Sequence, residues 1–411
     1  MKKETKIAKI IICIFILCIV LGINTVKADT DIESPYYGIY NAEDMELLIG
    51  ENTTEKISIA SITKIMTAIV AIDNIQDVNE KITIDIDTIS GKVDTDLVTA
   101  GIYDGQELSY YDLLATMLIP SGADSAVYLQ NIIFNDEELF IQKMNEKAQE
   151  LGMNSSHFAN VTGLDDEENY STIEDVAKMM KYAIENNTLK EIMMLKEYTT
   201  TDNALTVKST ISNLAKRAEI TTNLILGGKT GTTGDAGICL ASFSRDEKEN
   251  VDLIAVVTGT NMYSSKPFNV IDSMELYEEV ITHYLYRPIV LKDELLVRIP
   301  THLANLDMVE IHAKEDIKKY LADVDYDKIE IVYDGVDLVE YNTKVGTSLG
   351  TITYYYDGKE VGKMDATLEE ELHLDIKKWA IEYKKEIVIG VVAFLSLIVV
   401  ALLFTKKKNR K

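Results

Sequence analysis

The stretch SITKIMTAIVAI, residues 61–72, combines a chemical motif with a strong structural pattern. Its apolar residues recur without glycine or proline, which predicts a largely buried helix whose N-terminus lies near Ser61. Ser61 and Lys64 would share one face of that helix, and backbone N–H groups at a helix N-terminus favour negative charge. A Ser-x-x-Lys sequence arises by chance on the order of once in a chain of this length, so its weight depends on its surroundings.

Two further short motifs follow it in the chain, Ser121-Gly122-Ala123 and Lys229-Thr230-Gly231. Serine is a weak nucleophile until a base removes its proton. A lysine that is desolvated or placed among other cations can be neutral enough to act as that base. We therefore expect Ser61 to be a nucleophile and Lys64 its general base.

Histidine-based chemistry finds no support in the sequence. There is no Gly-x-Ser-x-Gly elbow, and the five histidines occur singly, without a metal-ligand spacing. His157 lies between the second and third of the three motifs in the chain, and we interpret it as structural. These observations disfavour a Ser-His-Asp hydrolase and a zinc peptidase, and we expect no metal and no cofactor.

The region 29–288 is expected to form one catalytic domain in which an antiparallel sheet is covered by helices, an α/β (α+β) architecture. Strands are predicted at Tyr36–Tyr40 and Met45–Ile49, joined by a turn at Asn41–Asp44, and at Leu224–Gly228, Gly237–Ser244 and Val251–Thr260, of which the last two pair. Helices are predicted at Tyr111–Leu118, Asp124–Ile133, Leu139–Leu151 and Met274–Tyr284.

The region 289–373 has a different texture, with short alternating runs that are typical of strands. Asp334-Gly335 and Asp357-Gly358 follow two of these runs and predict hairpin turns. We expect a small all-β C-terminal domain, followed by a helical stalk at residues 374–386.

The first residues resemble a secretory signal, with Lys2 to Lys9, then an apolar run, then a small residue at Ala28. We expect residues 1–28 to be a signal peptide. A retained N-terminal anchor is the alternative, although the apolar run is short for a membrane span.

The other end carries an apolar run at residues 387–404 and a basic tail at residues 405–411. This pattern predicts a single transmembrane helix with a cytoplasmic tail, which places the catalytic domain outside the cytoplasm. Trp379 and Tyr383 lie where aromatic residues mark the outer interface. A buried C-terminal helix is the alternative.

Charge and cysteine content exclude several classes of partner and site. The formal net charge is −26, which argues against nucleic acid as a partner, because nucleic acid is bound through clustered lysine and arginine. Cys239 is the only cysteine after the predicted signal, so no intrachain disulfide is expected in the mature chain. We interpret Cys239 as a packing residue.

The motifs together resemble one enzyme family. Ser-x-x-Lys with Lys-Thr-Gly occurs in β-lactamases and penicillin-binding proteins. Residues 140–153, FIQKMNEKAQELGM, with Thr162-Gly163-Leu164-Asp165-Asp166 and Tyr170-Ser171-Thr172, look like the low-molecular-weight D-Ala-D-Ala carboxypeptidases. The resemblance spans about Tyr36 to Tyr284 and implies a β-lactamase/DD-peptidase-like fold, with peptidoglycan stem peptides as substrates and β-lactam antibiotics as covalent inhibitors.

The resemblance also implies roles for the site residues. Ser61 would be acylated, Lys64 would accept its proton, and Ser121 would relay a proton to the departing D-alanine. The motif Lys229-Thr230-Gly231 would lie on an edge strand, where Lys229 and Thr230 hold the substrate carboxylate and Gly231 leaves room for close approach. The backbone N–H groups of Ser61 and Thr232 would form the oxyanion hole.

One residue departs from the family pattern. The middle motif of the family normally ends in asparagine, whereas this chain has Ala123. The missing amide should contact both the substrate and Lys64, and its loss is worth about 1 to 3 kcal/mol, or roughly tenfold to a hundredfold in rate. We therefore expect a weakened carboxypeptidase, with two alternatives: a membrane-tethered peptidoglycan-binding module, and a β-lactamase.

Overall fold

The structure is a computed structural model that describes residues 31–408, with side chains described as far as residue 401. The predicted signal peptide therefore lies outside the described residues. Within residues 31–408, helices and strands are interspersed as far as residue 283, strands dominate from residue 285 to residue 367, and two helices follow.

The strands are β1 (Tyr36–Asn41), β2 (Leu47–Glu51), β3 (Lys81–Thr83), β4 (Glu107–Ser109), β5 (Glu197–Thr199), β6 (Thr206–Lys208), β7 (Gly227–Thr233), β8 (Gly237–Asp246), β9 (Val251–Thr260), β10 (Leu285–Val290), β11 (Leu295–His302), β12 (Met308–His312), β13 (Ile317–Leu321), β14 (Ile329–Gly335), β15 (Val339–Glu340), β16 (Ser348–Tyr356) and β17 (Lys359–Thr367). The α-helices are α1 (Thr63–Asn74), α2 (Tyr110–Leu118), α3 (Ala123–Phe134), α4 (Glu137–Glu150), α5 (Ile173–Glu185), α6 (Asn187–Met194), α7 (Thr210–Ala218), α8 (Phe268–His283), α9 (Ile376–Glu382) and α10 (Lys384–Lys408).

The catalytic region is built on an antiparallel sheet with the strand order β2-β1-β9-β8-β7. Successive residues of its central strands enter different cores, as the alternation of side chains along a strand requires. Cys239 and Ala241 pack in the core that contains α1 to α6, whereas Leu240 packs in the core that contains α8. The expected sheet covered by helices is confirmed, and β7 is an edge strand.

Helix α1 forms where the apolar run predicts it, and its residues from Thr63 to Ala71 are buried. A 3₁₀ turn at Ala60–Ile62 precedes it, so Ser61 lies in that turn and not in the helix itself. Helix α2 begins with a capping box in which the Ser109 side chain accepts from the Asp112 backbone and the Asp112 side chain accepts from the Ser109 backbone.

The strand predicted at Leu224–Gly228 begins and ends later in the structure, at Gly227–Thr233. The prediction rests on apolar residues, but the observed strand is mostly glycine, threonine and lysine. It is held by pairing with β8, in which Lys229 lies opposite Ala241 and Gly231 opposite Cys239.

The C-terminal part is the expected all-β region, with its own core of buried residues between Val290 and Leu372. The hairpin predicted at Asp357-Gly358 is confirmed, because this pair joins β16 to β17. The hairpin predicted at Asp334-Gly335 is wrong, because both residues lie within β14.

Gly335 lies in β14 and not in a turn because β14 and β16 approach each other closely at this residue. A Cβ added at this residue would lie 2.3 Å from the Leu349 carbonyl oxygen and 2.4 Å from the Tyr333 hydroxyl. Gly335 therefore serves the close approach of β14 to β16 and of the Tyr333 ring, and it does not form a tight turn.

Strand β10 begins in the catalytic region and pairs with β13 of the C-terminal region. The boundary that we expect between residues 288 and 289 falls inside this strand. Tyr320 is 2 % exposed and packs in the same core as α8, so the two regions share a continuous apolar contact.

The predicted stalk contains α9, and the predicted span at residues 387–404 lies within α10. When the described residues are searched, none of their helices is long and apolar enough to cross a bilayer.

Candidate active site

Ser61 lies beside two close backbone approaches. Ala60, which precedes it, has a φ of +47°, a conformation that costs a non-glycine residue free energy. A Cβ added at Gly231 would lie 2.9 Å from the Ala60 Cβ and 3.0 Å from the Ser61 nitrogen. Strand β7 therefore passes directly against the nucleophile, and only glycine fits at this point.

Lys64 is buried, with its side chain in contact with the nucleophile. Its Nζ atom donates to Ser61 Oγ at 2.9 Å and to the Thr162 carbonyl oxygen at 2.8 Å. Burial lowers the pKa of Lys64 to about 7, and the charge of Asp124 opposes this effect. A lysine with this pKa is substantially neutral near neutral pH and can accept a proton.

Ser121 lies between α2 and α3, with a φ of +73°. Its hydroxyl accepts a hydrogen bond from Lys229 Nζ at 2.9 Å. Asp124 holds the neighbouring loop, because its carboxylate accepts from the backbone N–H groups of Ala100 at 2.8 Å and Gly101 at 2.8 Å. These bonds fix residues 100–101 against the first turn of α3, which follows Ser121.

Lys229 is fully buried on β7 and also donates to the Thr230 carbonyl oxygen at 2.7 Å. Burial lowers the pKa of Lys229 well below its ordinary value, and the nearby charge of Lys64 acts in the same direction. The Thr230 hydroxyl donates to Thr210 Oγ1 at 2.7 Å, and Thr232 is exposed at the surface.

The structure thus brings together the residues that the sequence singles out. Ser61 and Lys64 form one hydrogen-bonded pair, and Ser121 and Lys229 form a second. Gly231 brings β7 against the first pair. The arrangement offers a nucleophile with a neutral amine beside it, and a second amine suited to an anionic group.

Sequence reasoning missed three participants: Thr162, Thr210, and Asn160, whose side chain accepts from the Thr162 backbone N–H at 3.2 Å. Thr162 stands in a segment that carries the family resemblance, but it contacts Lys64 through its backbone carbonyl, which no side-chain motif encodes. Thr210 is the first residue of α7, and no spacing in the sequence links it to Thr230.

Ala123 is fully buried at the start of α3, and its backbone N–H donates to the Val98 carbonyl oxygen at 2.8 Å. Its methyl group has no polar atom to offer Lys64. The acceptor that we expect from an asparagine at this position is therefore absent, and besides Ser61 Oγ, Lys64 contacts the Thr162 carbonyl oxygen.

Two other residues have the structural surroundings that we expect. His157 Nδ1 lies 2.6 Å from the Glu168 carbonyl oxygen, and its backbone pairs with Tyr170. Cys239 is fully buried, and burial raises the pKa of its thiol to about 12. Among residues 31–401, no three histidine, cysteine or acidic side chains are grouped in a way that could hold a metal ion.

Comparison with known sequences points in one direction. A family model described as D-alanyl-D-alanine carboxypeptidase matches residues 23–262. A D-alanyl-D-alanine carboxypeptidase of Bacillus subtilis, DacF, is 26 % identical over 331 residues, covering 80 % of this chain and 82 % of that protein.

Two solved structures share the fold over most of the chain. The D-alanyl-D-alanine carboxypeptidase DacD from Francisella tularensis has a TM-score of 0.61 at 20 % identity and covers 84 % of this chain and 95 % of its own. Penicillin-binding protein 5 from Haemophilus influenzae has a TM-score of 0.60 at 20 % identity, with coverages of 83 % and 98 %.

Proposed function

We propose roles for the site residues from the premise that this chain belongs to the D-alanyl-D-alanine carboxypeptidase family, whose model matches residues 23–262. The chain is a serine-type D-Ala-D-Ala carboxypeptidase, a hydrolase of peptidoglycan stem peptides that also binds β-lactams. The observation that carries the assignment of roles is the buried Lys64 amine, 2.9 Å from Ser61 Oγ.

Acylation begins when neutral Lys64 takes the proton of Ser61 and the Ser61 oxygen attacks the carbonyl carbon of the penultimate D-alanine. The backbone N–H groups of Ser61 and Thr232 bind the oxyanion that forms. The bond to the terminal D-alanine nitrogen then breaks, and the proton that Lys64 accepted passes through Ser121 to that nitrogen, which leaves Lys64 neutral. Free D-alanine leaves, and the rest of the peptide stays esterified to Ser61.

Deacylation uses the same groups in the second half of the reaction. Lys64, neutral again, takes a proton from a water molecule that attacks the ester carbonyl. The ester bond to Ser61 breaks, and the proton returns to the serine oxygen. The products are a shortened stem peptide and the free enzyme.

The terminal carboxylate of the substrate is assigned to Lys229 and Thr230. Lys229 regains a full positive charge when an anion binds beside it, because an opposite charge nearby favours the ammonium form. The hydroxyl of Thr230, now directed to Thr210, supplies a second donor. This pair accounts for selection of a substrate with a free carboxyl end.

Incubation with benzylpenicillin tests the assignment of the nucleophile. We expect intact mass spectrometry to show a single covalent adduct on the chain and none on Ser61→Ala. A pentapeptide ending in D-Ala-D-Ala should release free D-alanine with the wild-type chain only. An adduct that persists in Ser61→Ala would place the nucleophile elsewhere.

An alternative from another functional class is a module that binds peptidoglycan without cleaving it. The intact hydrogen bond between Lys64 and Ser61 speaks against it, because a binding module has no need of a buried base. Such a module would keep its peptide affinity in Ser61→Ala and would form no penicillin adduct.

A β-lactamase is the other alternative. Rapid turnover of a chromogenic cephalosporin would identify it.

For location we propose a cell-membrane protein with its catalytic domain outside the cytoplasm. The support is the sequence pattern, an apolar run at residues 387–404 followed by a basic tail. The full chain should sediment with membranes and resist extraction by high salt, whereas a chain ending at residue 373 should be released. Release of the full chain by salt alone would contradict the proposal.

A further inference from the structure

The position of the Lys64 amine depends on one backbone carbonyl. Within the described part of the chain, Lys64 Nζ has two hydrogen-bond partners, Ser61 Oγ at 2.9 Å and the Thr162 carbonyl oxygen at 2.8 Å. Ser61 is the group to be deprotonated, and Ala123 offers no acceptor. The Thr162 carbonyl is therefore the fixed point that aims the amine at the nucleophile.

The side chain of Asn160 organises the turn that carries this carbonyl. Its Oδ1 atom accepts from the backbone N–H groups of Gly163 at 2.7 Å, Thr162 at 3.2 Å and Leu164 at 3.2 Å. It also accepts from the Thr162 hydroxyl at 3.3 Å, and Asn160 Nδ2 donates to the Leu164 carbonyl oxygen at 3.1 Å. One asparagine thus binds the three residues that follow Val161.

The turn is packed against the nucleophile from the other side. A Cβ added at Gly163, which has a φ of +79°, would lie 1.9 Å from the Ala60 carbonyl oxygen. The hydroxyl of Thr67, one turn into α1 from Lys64, donates to the Val161 carbonyl oxygen at 2.7 Å. These two contacts hold the faces of the turn, and the bonds that Asn160 makes within it complete the set that orients the Thr162 carbonyl.

We propose that Asn160 is a positioning residue for the reaction: it holds the Thr162 carbonyl in place, and that carbonyl holds the Lys64 amine against Ser61 in a chain whose middle motif has no amide. The inference rests on the proposed function in one respect, the assignment of Lys64 as the base. Asn160 itself touches neither the nucleophile nor the reacting atoms.

The test is the rate of acylation by benzylpenicillin as a function of pH and penicillin concentration, followed by intact mass spectrometry. In the wild type we expect the saturating rate to rise with pH as Lys64 loses its proton, which agrees with the pKa of Lys64 near 7 that burial produces. In Asn160→Ala we expect the saturating rate at the high-pH plateau to fall by about tenfold or more. The penicillin concentration that gives half the maximal rate should change little.

The midpoint of the pH profile gives a readout that a merely structural role would not move. An acceptor for an ammonium N–H favours the charged form, so Asn160→Ala should move the midpoint to lower pH. Asn160→Asp keeps the acceptor oxygen and the turn and adds a negative charge. It should retain most of the plateau rate and move the midpoint to higher pH.

Asn186→Ala is the matched control. Asn186 is also half-buried, and its Oδ1 atom accepts from the backbone N–H groups of Thr188 at 3.0 Å and Leu189 at 3.1 Å, at the start of α6. Asn186→Ala should lower the stability of the protein. The plateau acylation rate of the folded molecules and the midpoint of their pH profile should not change. Equal behaviour of Asn160→Ala and Asn186→Ala would overturn the inference.

A second measurement keeps the inference independent of acylation. The Lys64 amine can be titrated by NMR with lysine labelled at Cε, and its resonance assigned by its loss in Lys64→Arg. If the wild type forms no adduct, the proposed function fails, and this titration still decides the inference. A Lys64 midpoint that is the same in wild type and in Asn160→Ala overturns it, and a lower midpoint in the variant supports it.

Discussion

Two residues beside the nucleophile hold a backbone conformation that is unfavourable for them, Ala60 at a φ of +47° and Ser121 at +73°. Each such residue costs on the order of 1–3 kcal/mol and persists only where its surroundings enforce it. The enforcement is visible at Ala60, because Gly163 and Gly231 contact it from two sides. The site is therefore held in place by its neighbours and does not rely on the local preference of Ala60.

Introducing at position 123 the asparagine that the family resemblance implies should speed the reaction. In Ala123→Asn the amide oxygen gives Lys64 a second fixed acceptor, so the rate of Ser61 acylation should rise by about tenfold. Mass-spectrometric adduct formation with benzylpenicillin measures this rate.

Ala123→Leu distinguishes the effect of the amide group from the effect of a larger side chain, because leucine is similar in size to asparagine and has no polar side-chain atom. We expect it to be no faster than the wild type and to be less stable. A rate for Ala123→Asn at or below that of the wild type would mean that the Thr162 carbonyl already supplies all the positioning that Lys64 needs.

Among the helices and strands, the parts that sequence can predict are those with a local signal. Helix α1 follows from a continuous apolar run, and the β16–β17 hairpin follows from Asp357-Gly358. Strand β7 lies later in the chain than its prediction, because Gly227–Thr233 has little apolar character of its own. Pairing with β8 determines where β7 begins and ends, and the sequence of β7 alone does not predict that pairing.

In the candidate site, too, some residues can be predicted from the sequence and others cannot. Ser61, Lys64 and Lys229 act through side chains at recognisable spacings, so sequence can identify them. The Thr162 carbonyl is a backbone atom whose direction is set by Asn160 and by contact with Ala60. No spacing rule connects position 160 to position 64, and only the folded chain brings them together.

Helix α9 is attached to the C-terminal region through a histidine between two carboxylates. His302 Nδ1 lies 2.9 Å from Glu340, and its Nε2 lies 3.1 Å from Glu382 of α9. Hydrogen bonds to Glu340 and Glu382 raise the pKa of His302. The same helix is held by Lys378, whose Nζ lies 2.7 Å from Asp307.

A histidine with a raised pKa stabilises the folded form at low pH. The contribution is complete below the unfolded-state pKa of about 6.5 and is lost as the pH rises through the higher folded-state pKa. We therefore expect α9 to loosen as the pH rises above about 6.5. Trp379, the only tryptophan of the chain, lies on α9 and reports this change by fluorescence.

His302→Gln should remove the transition, because glutamine does not titrate. His312→Gln is the control, since His312 lies 3.9 Å from Glu310 of its own strand and its change should leave the transition in place. A fluorescence transition that survives in His302→Gln would assign it to another group.

Across the whole molecule, Tyr320 joins the catalytic and C-terminal regions. Its ring lies 5.7 Å from that of Tyr284 and 5.5 Å from that of Tyr286, and its hydroxyl donates to Asp246 Oδ2 at 2.9 Å. On the neighbouring residue, Lys319 forms an ion pair with Glu46 of the β1–β2 connection. Apolar packing by Tyr320 and the ion pair of Lys319 thus hold the two regions together at the same point of β13.

Removal of this ring should separate the two regions. We expect Tyr320→Ala to lower the free energy of unfolding by about 3 to 5 kcal/mol and to split unfolding into two transitions. Urea denaturation followed by circular dichroism measures both effects. A single transition in Tyr320→Ala would show that the remaining contacts are enough to couple the regions.

The hydroxyl can be tested separately from the ring. Tyr320→Phe leaves Asp246 without this donor and should cost about 1 to 3 kcal/mol. Tyr354→Phe is the matched control, because the Tyr354 hydroxyl is buried and has no hydrogen-bond partner among the described residues. It should cost much less than Tyr320→Phe.

The strand order β2-β1-β9-β8-β7 has a consequence for how the enzyme is made. Strand β1 is synthesised well before its partner β9, which comes from the far end of the catalytic region. Until β9 arrives, one edge of β1 is open to wrong partners, and pairing across so long a chain is slow. Ser61 is therefore synthesised early but gains its place beside Lys229 late. Activity thus requires completion of the sheet, and a chain interrupted before β9 would be aggregation-prone without being active.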